Sequence, residues 1–314
     1  MSILVNKNSS ALVAIKCFVY NHEPYLRDCL DGFVMQQTNF PFVAIVHDDA
    51  STDGSAAIIR EYEEKYPDII KPIYETENQY SKHDGSLGRI MNAAIDATGA
   101  KYVAMCEGDD YWTDPLKLQK QVDFLENHPE YSMCFHGAEI KIQGVDRSKC
   151  GARCEYVQDK EYSATDLFAE WIVPTASIVY DRQRVNQYSI KHPEWVTRGD
   201  IILVLKCAHV GKVWGMSDKM SVYRVQPNGV TYDQIRRTAE IDKLPNHFKC
   251  IYINFPKINK QISRWHIAYH YFLRLNYSTK FTQKISNFIL ATIWGPQYTF
   301  DKIGRFLKRK LQKL

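Results

Sequence analysis

No stretch of this 314-residue sequence reaches the roughly 18 consecutive apolar residues that a membrane-spanning helix needs. The best run, Phe288 to Trp294, is far too short. Met1 to Ser10 lacks a basic segment followed by an apolar one, so no secretory signal is expected. A large excess of one charge is missing too. Forty basic and 36 acidic side chains leave a net charge of +4, too little for a dedicated nucleic-acid binder. Repeats and low-complexity segments are absent, and only 12 residues are proline. The eight cysteines are scattered, several of them inside apolar runs. Cys150 and Cys154 could form half of a zinc site, but no second pair stands at conventional spacing. Reduced, mostly buried thiols in a cytoplasmic protein are therefore expected. What remains is a soluble globular composition, with enough apolar side chains for a sizeable core.

Short apolar runs alternate with helical patterns through the first half. Leu12–Val19, Phe42–His47, Ile69–Tyr74 and Tyr102–Cys106 read as strands. Glu23–Gln36, Ser55–Lys65 and Leu87–Ala97 read as helices between them. That alternation predicts an α/β fold with a mainly parallel central sheet flanked by helices. Ligands of such sheets bind beyond the carboxyl ends of the strands. Gly137–Tyr162 is polar and reads as an irregular excursion. From about Thr238 the pattern is helical and aromatic-rich. The expected division is a catalytic domain over 1–235 and a helical region over 236–314.

Three polar clusters follow predicted strands: Tyr20-Asn21-His22-Glu23, Asp48 to Gly54, and Glu107-Gly108-Asp109-Asp110. Adjacent carboxylates such as Asp109 and Asp110 repel unless a cation or a set of donors relieves them. A hard divalent ion, Mg²⁺ or Mn²⁺, takes one or two carboxylates and fills its shell with phosphates and water. The alternative is a helix cap, a role that Asp114 followed by Pro115 already fills. The segment from Asp49 opens like a calcium loop, but its twelfth position is Arg60 where a bidentate Glu is required. Asp53 or Ser51 can cap the next helix, which leaves Asp48 and Asp49 unexplained.

The series Val13 to Glu23, His47 to Ser55, Gly88-Arg89-Ile90-Met91-Asn92-Ala93-Ala94 and Glu107 to Trp112 resembles bacterial family-2 glycosyltransferases of the GT-A fold. The resemblance covers roughly residues 10 to 230. It implies that Tyr20 flanks a nucleobase, that Asp49 accepts the uracil or thymine N3–H, and that Glu23 belongs to the same nucleotide-sugar site. Arg89 would reach the nucleotide through its donor fork. Asp109 would contact ribose or metal, and Asp110 would coordinate a Mn²⁺ or Mg²⁺ ion bridging the diphosphate. Phe18 departs from the pattern, standing where many members carry a small polar residue, which loosens the expectation about the base.

Downstream, Arg198-Gly199-Asp200 resembles the family's element for the catalytic base, and Asp200 is the candidate. A helix N-cap is its bland alternative. Met220 to Val230 resembles the closing strand and loop, with Arg224 as a phosphate or acceptor contact or else a surface ion pair. His136 is placed to face the site or to be structural, and Trp112 and Trp195 to line an acceptor groove or sit in the core. The implied reaction is inverting transfer from a UDP- or dTDP-sugar to a saccharide or lipid-linked acceptor, within cell-surface polysaccharide synthesis. A nucleotidyltransferase remains the enzymatic alternative, although the loop after the first strand is not Gly-rich. A catalytically inactive sugar-binding homologue is the other. Finally, Phe300, Ile303, Phe306, Leu307, Leu311 and Leu314 share one helical face opposite Lys302, Arg305, Lys308, Arg309 and Lys313. Residues 298–314 are thus expected either to lie on an anionic membrane surface, peripherally on the inner face of the cell membrane, or to dock on their own domain.

Overall fold

The computed structural model describes residues 11–144, 154–226 and 240–302. The chain divides into two compact units. The first comprises Met1–Ser163, Glu170–Tyr188 and Val210–Gln226; the second comprises Ala164–Ala169, Ser189–His209 and Pro227–Leu314.

The first unit begins with the expected alternation: β1 (Val13–Val19), α1 (Glu23–Val34), β2 (Phe42–Asp48), α2 (Ser55–Lys65), β3 (Ile70–Tyr74), α3 (Ser86–Thr98) and β4 (Tyr102–Met105). β1 lies between β2 and β4, parallel to both, and β3 extends the parallel set beyond β2. Val13, Ala14, Ile15, Cys17 and Val19 of β1 are all buried, as a strand covered on both faces requires. α1 turns Leu26, Cys29, Leu30 and Phe33 into that core.

After β4 come β5 (Tyr111–Trp112), α4 (Lys117–Asn127), β6 (Tyr131–Ile142), β7 (Lys160–Glu161), β8 (Val179–Asp181), a short α6 (Arg182–Asn186) and β9 (Lys212–Val225). The sheet order is β3-β2-β1-β4-β8-β6-β9-β5, with β7 also on β9. Parallel pairing predominates by length, and β5, β7 and β8 are short antiparallel members. One expectation is corrected here. Gly137–Ile142, read as irregular, continues β6 along β9. Its exposed Glu139 and Lys141 alternate with half-buried Ile140 and Ile142, and a strand with one wet face has a loop-like composition.

Trp112 belongs to this core rather than to an open groove. It is 2% exposed, its Nε1 donates to the Ala176 carbonyl at 2.7 Å, and Phe33 packs edge-on at 5.0 Å. Gly32 admits it, because a Cβ there would stand 2.9 Å from the Trp112 amide nitrogen. His136 is also wholly buried, its Nδ1 2.7 Å from the Gly137 carbonyl, and burial lowers its pKa to about 3. The seven described cysteines are buried, as expected; Cys150, and so the zinc half-site, lies outside the described residues.

Lys117 is completely buried 3.8 Å above the Trp112 ring centre, and its Nζ has no hydrogen-bond partner. Burial depresses its pKa to about 7. Below that value the folded and unfolded chains both carry the proton, and the fold bears the full desolvation cost. As pH rises from about 7 toward the unfolded value, only the unfolded chain keeps the proton, so stability climbs. Lys117→Met is expected to remove that climb and to stabilise the protein by a few kcal/mol, on the order of the pKa shift, at slightly acid pH. Thermal melts between about pH 6 and 9 check this; parallel curves for the two proteins would refute it.

The second unit is helical: α5 (Ala164–Ala169), α7 (Gly199–Val210, whose last residue belongs to the first unit), α8 (Leu244–Asn254), α9 (Lys260–Tyr277) and α10 (Phe281–Trp294). Phe248 of α8 lies stacked against His266 and His270 of α9, 5.2 and 4.1 Å away between ring centres. Asn259 caps α9 by accepting from the amides of Gln261 and Ile262. No described helix is long and apolar enough to cross a membrane. Residues 303–314, most of the predicted amphipathic tail, lie outside the described residues.

Candidate active site

Because β1, β2 and β4 are parallel neighbours, the loops that follow them emerge on one edge of the sheet, where an open α/β sheet binds its ligands. The first two loops are laced together by side chains bonding to backbone. Asn21 N donates to Ser51 Oγ at 3.0 Å, and Thr52 N donates to Asn21 Oδ1 at 2.8 Å. His22 N reaches Ser55 Oγ, and Glu23 N reaches Asp53 Oδ2. Glu23 answers by accepting the Gly54 amide at 2.7 Å, while the other oxygen of Asp53 accepts Ser55 N at the start of α2. Asn21 and Ala50 both sit at positive φ, 54° and 60°. Asn tolerates that region; Ala does so at a cost of about 1 kcal/mol, which the surrounding bonds must hold in place.

Asp49, next to Ala50, is 3% exposed. Its two carboxylate oxygens accept the amides of Gln79 and Tyr80 at 2.6 and 3.0 Å. Asn78 donates to its carbonyl. Asp49 thereby ties the chain after β3 to the β2 edge. Tyr20 stands beside this arrangement with 42% of its surface exposed. Arg89, on the first turn of α3, is a largely exposed side chain whose Nη1 donates to the Asp84 carbonyl at 2.7 Å.

The third loop carries the carboxylate pair. Asp110 is buried, and its Oδ1 accepts the peptide N–H of Arg224 at 2.8 Å. β5, which follows directly, is paired with β9 and brings Arg224 there. The Arg224 side chain is no surface ion pair; it is 4% exposed. Its guanidinium lies 4.4 Å from the Tyr111 ring centre and 5.2 Å from that of Tyr25, donates to the Asp109 carbonyl, and pairs with Asp28. Gln226 donates to Asp109 Oδ2 at 3.0 Å. Burial, and then the neighbouring Asp109, push the Asp110 carboxyl well above its ordinary range. A cation would reverse that.

Gly108 lets the third loop close on the first. Its amide donates to the Phe18 carbonyl, and a Cβ on it would come within 2.7 Å of His22 Nδ1. That Nδ1 is buried without a hydrogen-bond partner, and burial lowers the His22 pKa despite Asp109 and Asp53 nearby. His22, Gln226 and Asp28 are the site neighbours that sequence reasoning missed. His22 had a signal, lying inside a quoted cluster; Gln226 and Asp28 had none.

The structure therefore gathers Tyr20, Glu23, Asp49, Asp109, Asp110 and Arg224 on the three loops and the β9 end. Asp200 belongs to the second unit, inside the first turn of α7 rather than at its cap. It is half-buried, and burial raises its pKa despite the Arg198 charge. Among the described residues, no group of three or more His, Cys, Asp or Glu side chains could hold a metal ion by itself. The donor set fits a hard ion that takes one or two carboxylates and draws the rest of its shell from phosphate and water. A buried, charge-stressed Asp110 is what such an ion would relieve.

The family model for glycosyl transferase family 2 matches residues 17–183. The chain belongs to glycosyl transferase family 2. Its relative Rv1520 of Mycobacterium tuberculosis, an uncharacterised protein, is 37% identical over 220 residues, 69% of this chain and 60% of its own length. The chain thus spans less than two thirds of that relative's length. Among solved structures, Staphylococcus aureus TarS in complex with UDP-GlcNAc superposes with a TM-score of 0.61 at 14% identity, over 90% of this chain and 80% of that one. The mannosyltransferase PcManGT of Pyrobaculum calidifontis, with GDP-Man and Mn²⁺, gives 0.56 at 18% identity, over 97% and 81%. These likenesses establish the GT-A fold for the family-2 chain described here.

Proposed function

We propose that the protein is an inverting, metal-dependent glycosyltransferase. It moves a sugar from a UDP- or dTDP-sugar to a saccharide or lipid-linked acceptor in cell-surface polysaccharide synthesis. The observation that carries the reading is the buried Asp110 beside Asp109 at the ligand-binding edge of the sheet, where burial and mutual repulsion outweigh the nearby Arg224 charge. Asp110, with Asp109, would hold Mn²⁺ or Mg²⁺, which when bound offsets charge growing on the leaving diphosphate. Asp49 would accept the base N3–H. Its bonds to Gln79 and Tyr80 leave room, since a carboxylate has about four lone-pair sites. Tyr20 would flank the base, Glu23 would hold the shape of the loop, and Arg89 would reach the nucleotide from its exposed position. Arg224 acts by fixing Asp109 and Asp110 in place.

Asp200 would take the proton of the acceptor hydroxyl as that oxygen attacks the anomeric carbon. The bond to the diphosphate breaks with its electron pair on the departing phosphate. One attack without an enzyme nucleophile inverts the centre, so an α-linked donor yields a β-linked product. Residues 1–235 would form the catalytic domain, and 236–314 a helical region whose end, 298–314, rests on the inner membrane surface.

A thermal-shift screen of nucleotide sugars tests the donor reading. A UDP- or dTDP-sugar at about 100 times its Kd should stabilise the fold by about 2.7 kcal/mol, a rise of a few degrees, with Mn²⁺ present and not with EDTA. Equal shifts under both conditions would remove the metal from the reading, and no shift with any nucleotide sugar would remove the donor.

A further inference from the structure

α10 is packed with the wrong side out for a helix of a water-soluble unit. The residues that it buries are Asn287 and Ala291, the former donating to Ser278 Oγ. Five of its large apolar residues, Phe281, Ile285, Phe288, Ile289 and Ile293, are 75, 45, 37, 51 and 60% exposed, while Leu290 and Trp294 are half-buried. At 100° per residue these five fall on one continuous arc, opposite Asn287 and Ala291. Phe300, 64% exposed, adds a sixth apolar side chain just beyond the helix. An exposed apolar face of this kind marks an interaction surface.

Charge decides what covers it. Of the 40 basic and 36 acidic side chains, eight and one fall in residues 278–314, which leaves 32 and 35 in residues 1–277. The positive charge of the whole chain therefore resides on the segment that carries the apolar face, and the remainder is slightly acidic. α10 itself has Lys284 and no acid, and Lys280 precedes it. A second copy would set one cationic segment against another. An anionic lipid surface satisfies both features at once: acyl chains take the Phe and Ile side chains, and headgroup phosphates take the lysines and arginines.

We propose that α10 is a membrane-insertion helix, lying in the interface of an anionic bilayer with Phe281, Ile285, Phe288, Ile289 and Ile293 toward the acyl chains. The inference rests on the peripheral-membrane part of the reading above and moves the insertion from the terminal residues to α10. The test is flotation of the full chain with vesicles of phosphatidylcholine containing phosphatidylglycerol, and with phosphatidylcholine alone. Wild-type protein should float with the anionic vesicles and not with the neutral ones. The double variant Ile285→Glu with Ile289→Glu, at exposed positions that the fold does not need, should lose at least about tenfold in partitioning. It should keep wild-type donor hydrolysis in detergent-free solution. A tail variant with Lys308, Arg309 and Lys310 changed to Gln separates the two segments. If it fails to float while the double variant floats normally, the tail alone binds and α10 does not insert. Failure of the wild type to float, with sedimentation showing a dimer that the double variant breaks, would assign the face to a second copy. Donor hydrolysis, read separately, reports on the transferase reading whichever way flotation falls.

Discussion

Replacing Asp110 by asparagine is expected to lower kcat/KM with a nucleotide-sugar donor by about 10³ or more, a loss of several kcal/mol in transition-state stabilisation. The same change should raise the melting temperature of the metal-free protein. Both effects have one cause. The Asp110 carboxylate is buried beside Asp109, and its folded-state pKa lies well above the unfolded one. Above the unfolded pKa the fold must therefore either take up a proton or hold a buried charge that Arg224 offsets only in part, so stability falls as pH rises through this interval. Asparagine has no charge to bury, and its Oδ1 can still accept the Arg224 amide, so the turn and the β5–β9 pairing survive. What it loses is the anion that makes a hard cation welcome. Calorimetric donor titrations with Mn²⁺ and with EDTA, next to metal-free thermal melts, read both signs. A variant whose donor binding still depends on Mn²⁺ as in the wild type would overturn the assignment. So would a variant less stable than the wild type, because the carboxylate would then be a structural asset.

The second large effect is expected at Asp200. Asp200→Asn should reduce kcat by about 10² or more and leave the KM for the donor nearly unchanged, because a general base acts on the acceptor proton. Burial raises the pKa of this carboxyl. The acid limb of the wild-type kcat profile should accordingly lie above the ordinary carboxylate range, since the base works only when ionised and activity rises with pH through its pKa. That limb should vanish from the residual activity of the variant. Turnover within about threefold of wild type would assign the base elsewhere. A matching rise in the donor KM would make Asp200 a donor contact instead.

These two carboxylates show how differently a sequence exposes its chemistry. Asp109 and Asp110 stand out because an acidic doublet directly after the apolar Tyr102–Met105 strand has no evident local purpose; Asp114, expected to cap the next helix, instead accepts the Leu116 amide in the turn before it, and α4 begins at Lys117 with Leu116 at its cap. Asp200 stands out only through resemblance, since an acid in the first turn of a helix is ordinary. Arg224 was legible as a candidate, but its contacts were not. Nothing in the local pattern says that its peptide N–H would hold Asp110, or that its guanidinium would be enclosed by Tyr25, Tyr111 and Asp28. Packing likewise decided between the two alternatives open for Trp112: it sits in the core against Phe33, with Lys117 buried over its ring.

The alternation of β1, α1, β2, α2, β3, α3 and β4, and the positions of the acidic clusters at the strand ends, were written in the sequence itself. Periodicity and turn chemistry act over a few residues, and such information survives in the linear string. Tertiary structure alone decided that the amides of Gln79 and Tyr80 occupy Asp49, that His22 meets Gly108, and that the β9 end closes over Asp110. It also decided that α10 turns Asn287 inward and its phenylalanines and isoleucines outward. Each of these joins residues far apart in the chain, where desolvation and hydrogen-bond satisfaction depend on which surfaces meet, and no local pattern encodes that meeting.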